Sequence, residues 1–236
     1  MQEKYDKYPS SAKGLKVDVL HLQALRKSKH MGSKCILMES EYFPCIAWFA
    51  DYLQSESVII DNQEAFVRSS YRNRCEVAGA QGKQILSVPL EGGRNARRLT
   101  AEVKICYRER WQQVHWRSIE ACYRRTPYFE FYESRLSGIF DHRFEYLVQL
   151  NEYVLGVLLD CLKRKPHHQL MRNIPLETSY EDQRRKFVPG LQENLSYKSY
   201  LQPFQERNGF LPHLSVLDML CCCGPDTIIL LSPEKA

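Results

Sequence analysis

The groups in this chain equipped to do chemistry are an imidazole on a helix face, a carboxylate that ends an apolar run, and arginines close behind it. At about 100° per residue, Trp111, Val114, His115, Ser118, Ile119 and Cys122 share one face of a helix beginning near Arg110, and Arg117, Glu120 and Arg124 take the other. His115 therefore lies near the middle of the inward face. An imidazole titrates close to neutral pH, so in a cleft it can serve as a general base. In a packed interior the same residue is a core histidine with its hydrogen bonds satisfied, and both readings fit the spacing. Tyr123, two turns further on, would line the same cavity.

The second constellation is Asp61–Arg74, DNQEAFVRSSYRNR. It follows the apolar run Val58-Ile59-Ile60 and precedes a strand-like segment beginning Arg74-Cys75-Glu76-Val77. Ligands of α/β sheets bind beyond the carboxyl ends of the strands. A carboxylate in that position, followed by Glu64, Arg68, Arg72, Asn73 and Arg74, reads as one wall of a polar site. A further loop, Glu91–Arg98, holds two glycines and three arginines. Such a loop either grips phosphate or is a mobile basic hairpin.

The elements that must position these groups follow from pattern. Cys35–Met38 is an apolar strand ended by Glu39. Pro44 suits the first turn of a helix, where its missing N–H has no partner to lose, and Ile46, Phe49, Ala50 and Leu53 follow at helical spacing. With Val58–Ile60 this predicts a βαβ unit. Gln84–Pro89 and the alternating Ala101–Cys106 read as further strands. From Arg110 onward the periodicity is helical. Arg143–Arg164 carries the broadest apolar stripe, including Leu147, Asn151, Leu155 and Leu158, and reads as scaffold without chemistry. Pro166–Glu193 is polar and reads as a flexible loop, with His167-His168 as solvated residues rather than metal ligands. Ser215 is a helix cap, and Gly224-Pro225 ends that helix.

The totals set outer bounds. The chain has 236 residues, 44% hydrophobic and 26% charged, which suits one domain and excludes global disorder. The predicted fold class is α/β, a mixed sheet with a βαβ start and a mainly helical C-terminal half. Residues 1–34 read as a polar extension before a domain spanning 35–231. A net charge of +5 suits a solvated face or an anionic ligand. Nine cysteines at irregular spacing, with no paired C-x-x-C, read as reduced thiols in a cytoplasmic protein and give no metal site. Cys221–Cys223 diverge around a helix and do not converge on one ion. No apolar run is long enough to span a membrane.

Several separated pieces taken in order resemble the bacterial WbqC-like family. They are Tyr42-Phe43-Pro44, Asp51 and Asp61, Arg68–Arg74, Leu86-Ser87-Val88-Pro89, Trp111–Trp116, Tyr123 with Pro127-Tyr128-Phe129, and Gly209-Phe210-Leu211-Pro212 through Asp218. The likeness runs from about Cys35 to Gly224. It implies a setting in surface-polysaccharide and O-antigen synthesis, and a suggested role in transferring a glycyl group to a sugar. The polar positions it carries over are Asp61, Asn73, Arg74, His115, Tyr123 and Asp218.

Two functions follow as expectations. As an acyl or aminoacyl transferase acting on an amino sugar or nucleotide-sugar, the chain needs a base for the attacking amine, with His115 first and Asp61 second. Asn73 and Arg74 would meet the developing negative charge. Arg68 or the Arg94–Arg98 loop would hold a diphosphate, and Tyr42 and Tyr123 would stack on a sugar or base. As a non-catalytic binding or assembly protein, the same polar groups would be a structural network. An anionic small molecule is the expected partner, with tRNA a weaker one. The sequence names no cofactor, and G-x-S-x-G, Walker and G-x-G-x-x-G motifs are absent.

Overall fold

Apolar residues fill both faces of the first two strands, and burial on both faces is the condition under which parallel strands form. In the computed structural model, which describes residues 35–92, 98–171, 178–190 and 199–232, β1 (Cys35–Glu39) and β2 (Ser57–Asp61) pair in parallel. The helix α1 (Ile46–Gln54) joins them and buries Ile46, Ala47, Trp48, Phe49 and Tyr52. The predicted βαβ unit is present. The register sets Cys35 opposite Ser57 and Glu39 opposite Asp61, so both strands end in a carboxylate at the same level.

Two short strands complete the parallel sheet. β5 (His168–Leu170) pairs with β2, and β6 (Glu181–Asp182) pairs with β1, giving the order β5-β2-β1-β6. Both come from the segment read as a loop. Their polar composition hid them because each is an edge strand with one flank open. Ile36, Met38, Val58 and Ile60 face the main core, while Leu37 and Ile59 pack with Tyr180 on the other face.

A separate antiparallel hairpin follows, β3 (Arg74–Gly79) and β4 (Gly82–Ser87). The expected strand at 101–106 is instead a 3-10 turn, Thr100–Glu102, followed by isolated bridges. Its amides are spent on different partners: Thr100 on Glu64, Ala101 on Asn62, Ile105 on Glu145 and Cys106 on Pro89. With no single partner strand, alternation alone does not make a ladder.

The helical half consists of α2 (Trp111–Tyr123), α3 (Phe129–Gly138), α4 (Leu147–Cys161), the short α5 (Gln205–Asn208), α6 (Val216–Cys223) and α7 (Thr227–Leu230). Ser215 caps α6 by accepting from the Leu217 amide at 3.2 Å. Gly224 ends it at φ 56, and a Cβ there would lie 2.3 Å from the Tyr128 ring. The face of α2 is narrower than expected: Val114 is 60% exposed, while Trp111, His115, Ile119, Cys122 and Tyr123 are buried. All nine cysteines are free thiols. Among the described residues no helix is long and apolar enough to cross a membrane. The extension 1–34, most of the arginine loop (93–97) and residues 172–177 and 191–193 lie outside the described residues.

Candidate functional site

A parallel sheet collects chemistry at the carboxyl ends of its strands because successive loops leave from there. Here that edge holds Glu39 from β1 and Asp61 from β2, with Glu41 and Glu64 from the loops that follow, and all four are buried. Arg72 is almost wholly enclosed and is their principal cation. Its Nε donates to Glu64 Oε1 at 2.6 Å. Its Nη2 lies 2.5 Å from the same oxygen, without hydrogen-bond alignment, and 3.9 Å from Glu39 Oε1. Asn151 of α4 donates to the Arg72 carbonyl at 2.9 Å and to Ser40 Oγ at 3.1 Å, fixing the loop from below.

Asp61 is held rigidly. Its Oδ1 accepts from the Gln63 and Glu64 amides at 2.8 and 3.1 Å, and its Oδ2 meets Arg184. Arg184 also forks onto Asp182, with Nε to Oδ1 at 2.9 Å and Nη2 to Oδ2 at 2.6 Å. The Arg185 amide donates to both oxygens of Glu39, at 3.1 and 3.2 Å. A strap, Gln183–Phe187, therefore lies over both strand ends.

These carboxyls are buried, and their protonation reflects it. Burial pushes Glu64 up to about 7 against the opposing pull of Arg72, with Asp61 and Glu39 adding to the rise. Burial also raises Glu39, and it raises Glu41 far above the carboxylate range. A carboxyl titrating near neutrality can take a proton and return it under working conditions. Glu41 Oε1 and Asn151 Oδ1 are buried and have no hydrogen-bond partner among the described residues. Buried polar atoms are normally paired, so two open ones beside this cluster stand out.

The expected site residues fall into three places. Asp61 is in the acidic cluster. His115 is in an aromatic interior, 3% exposed, in ring contact with Trp111 and Phe140. The Tyr42 hydroxyl meets its Nδ1 at 2.9 Å, and a backbone hydrogen bond links the ring to Ser87. Burial lowers it to about 4, so the ring is neutral at physiological pH. The partners of His115 and those of Asp61 have no member in common. Tyr42 is correspondingly a core residue, 0% exposed.

Tyr123 and Asp218 form a third group. The Tyr123 hydroxyl accepts from the Ala78 amide at 3.0 Å and faces Asp218, whose Oδ2 accepts from Tyr200 at 2.6 Å and Gln202 at 3.2 Å. Burial raises Asp218 to about 6. Asn73 closes the mouth of the β3–β4 hairpin, donating to the Val88 carbonyl at 3.1 Å while its own carbonyl accepts from the Val88 amide. Arg74 lies on β3 with a buried Nε that has no hydrogen-bond partner among the described residues, and Arg68 is exposed.

Sequence reasoning placed Glu64 and Arg72 in the polar wall without giving either a role, and passed over Glu39, Asn151 and Arg184. A signal for Glu39 was available, since it and Asp61 end successive apolar runs in the same way. Arg184 lay within the segment read as a flexible loop. Two open clefts, of about 420 and 400 Å³, share Gln54, Ser55 and Glu56 at the amino ends of the strands. The carboxyl edge is the stronger site candidate despite being closed, because three raised carboxyls, Glu39, Glu41 and Glu64, gather there around a buried arginine. Among the described residues no group of three or more His, Cys, Asp or Glu is placed to hold a metal.

The strand-end carboxylates, the buried arginine and the loop between them all fall within the residues, 39–205, that the sequence model of the WbqC-like protein family matches. The chain belongs to the WbqC-like protein family. No curated protein matches it, and no solved structure does. As a WbqC-like protein it carries the Glu39–Arg72–Glu64 cluster in the matched part, while Asp218 and α6 lie beyond it.

Proposed function

We propose that this WbqC-like protein is a transferase of surface-polysaccharide synthesis that moves an acyl or aminoacyl group, such as glycyl, onto the amine of an amino sugar or nucleotide-sugar. The observation that carries the reading is the Glu64 carboxyl, raised to about 7 beyond the ends of parallel strands. In the transfer, the amine nitrogen bonds to the acyl carbon, the bond from acyl carbon to leaving group breaks, and Glu64 accepts a proton from the amine. Arg72 orients Glu64 and keeps its ionised form accessible. Exposed Arg68 and Arg185 would meet the anionic part of the substrate. This assignment moves the base from His115 to Glu64 and recasts Asp61, the second candidate base, as a substrate contact.

A thermal-shift screen of nucleotide-sugars, acyl-CoA compounds and glycine with ATP identifies the reactants, since a ligand selective for the folded form raises its melting temperature. With these, Glu64→Gln should lower kcat about a hundredfold or more while the protein stays folded. The limb of the pH–rate profile near 7 should vanish with it. Unchanged turnover in the variant removes the reading.

One observation favours a second reading, a non-catalytic binding protein. Asp61 Oδ1 accepts two amides of its own loop, which is how an aspartate stabilises a turn. On that reading Asp61→Asn lowers stability and leaves no turnover to lose.

A further inference from the structure

The acidic edge is closed, and what closes it is itself charged. Asp61 Oδ2 is covered by the Arg184 guanidinium, and the Glu39 carboxylate by the Arg185 amide. The two members of the first pair differ in access. The Asp61 side chain is 1% exposed, whereas that of Arg184 is 13% exposed, so the arginine reaches the aspartate from the solvent side.

The strap has the means to leave. It follows the two-residue strand β6, and its ladder to β1 extends only to the Gln183 amide on the Leu37 carbonyl, at 2.9 Å. Arg185 sits at φ 67, a left-handed conformation that a non-glycine residue adopts only under constraint. The side-chain contacts of Arg184 to Asp182 use Nε and Nη2, whereas the contact to Asp61 uses Nη1. Phe187, 1% exposed, fixes the far end in the core. Losing Arg184 would leave Asp61, whose side chain is 1% exposed, without the one side-chain cation it pairs with among the described residues. A positively charged group in its place would restore that pairing. Asn151, which holds the Arg72 carbonyl through Nδ2, keeps a buried Oδ1 without a hydrogen-bond partner among the described residues, a further open acceptor in the same cluster.

We propose that Asp61 is the seat of a subsite for a cationic amine, and that Arg184 fills it as a removable plug until an ammonium-bearing ligand takes its place. This rests on the amine-acceptor reading above and deepens it: the ligand opens its own site by competing with the strap.

The test uses D-glucosamine, cationic at neutral pH, and D-glucose, a neutral sugar of the same size, as probes of the full chain by calorimetry. Arg184→Ala should tighten glucosamine binding about tenfold, because the plug no longer withholds the competent state. Glucose should not bind either form, and Asp61→Asn should abolish binding. In the unaltered protein, glucosamine should speed hydrogen exchange at the Gln183 and Arg185 amides, a readout that holds even if Arg184→Ala fails to fold. Unchanged or weaker binding in Arg184→Ala, equal binding of the two sugars, or slower exchange of those amides overturns the proposal. Glucosamine binding with strap release, but no effect of Glu64→Gln on turnover, would sink the transferase reading alone. Glu64-dependent turnover with slower strap exchange would sink the plug alone.

Discussion

The protonation of His115 follows from where its ring lies. An imidazole among Tyr42, Trp111 and Phe140 loses hydration when charged, and burial takes it down to about 4 from 6.5. The folded protein holds the ring neutral while the unfolded chain binds a proton below 6.5. His115 therefore contributes stability that is present above about 6.5 and lost as pH falls towards 4, up to roughly 3 kcal/mol. His115→Phe should remove that acid sensitivity. It should also strand the Tyr42 hydroxyl, at a cost of about 1–3 kcal/mol near neutral pH. Urea unfolding of both proteins at pH 5 and 7.5 checks both effects. A variant whose stability varies with pH as the parent's does contradicts the assignment.

Between elements, the polar contacts of α4 show that the scaffold is not chemically silent. Asn151 ties it to the loop of Arg72, and Glu152 bonds His168 Nε2 at 2.9 Å. The other nitrogen of His168 meets the Tyr52 hydroxyl at 2.8 Å. Tyr52, His168 and Glu152 thus join α1, β5 and α4, and this clasp pins an edge strand of only three residues. The His pair, expected in solvent, is part of the sheet's anchorage: His167 Nε2 meets the Tyr52 carbonyl at 2.9 Å. Tyr52→Phe removes a hydroxyl that is 0% exposed with its residue and leaves His168 Nδ1 unpaired, so stability should fall by about 1–3 kcal/mol. Amide exchange in 168–170 should rise selectively. Uniform exchange across the sheet would show that the clasp does not hold β5.

For the molecule as a whole, the raised carboxyls dominate its response to pH. Glu64 rises from 4.5 to about 7 and Asp218 from 3.8 to about 6, so the folded state holds protons that the unfolded chain releases. Their contribution is full below the unfolded values and is lost as pH rises through the folded ones. Glu39 and Glu41 act in the same direction, and His115 opposes them. Two carboxyls against one imidazole leave a net loss of stability between about pH 4.5 and 6, and Glu64 extends it towards 7. The thermal midpoint should therefore be higher near pH 5 than near pH 7.5. The reverse order would mean that these carboxyls are paired more fully than their surroundings allow. A cationic ligand at the strand ends should flatten the dependence, because it compensates the same charges.

What is local could be read from the chain. Apolar runs ended by charge gave β1 and β2, proline and helical spacing gave α1, a serine ahead of an apolar stretch gave the cap of α6, and an ordered set of short pieces gave the family. Each is written within a few residues of chain. Which polar groups share a site depends on how distant segments pack. Glu39 and Asp61 are neighbours because two strands pair in parallel, Arg184 reaches them through an edge strand from 123 residues further along, and His115 is drawn into an aromatic interior by the packing of α2. A residue's type states what its side chain can do, but the surrounding dielectric and partners, set by distant segments, determine whether it is charged, reachable and paired.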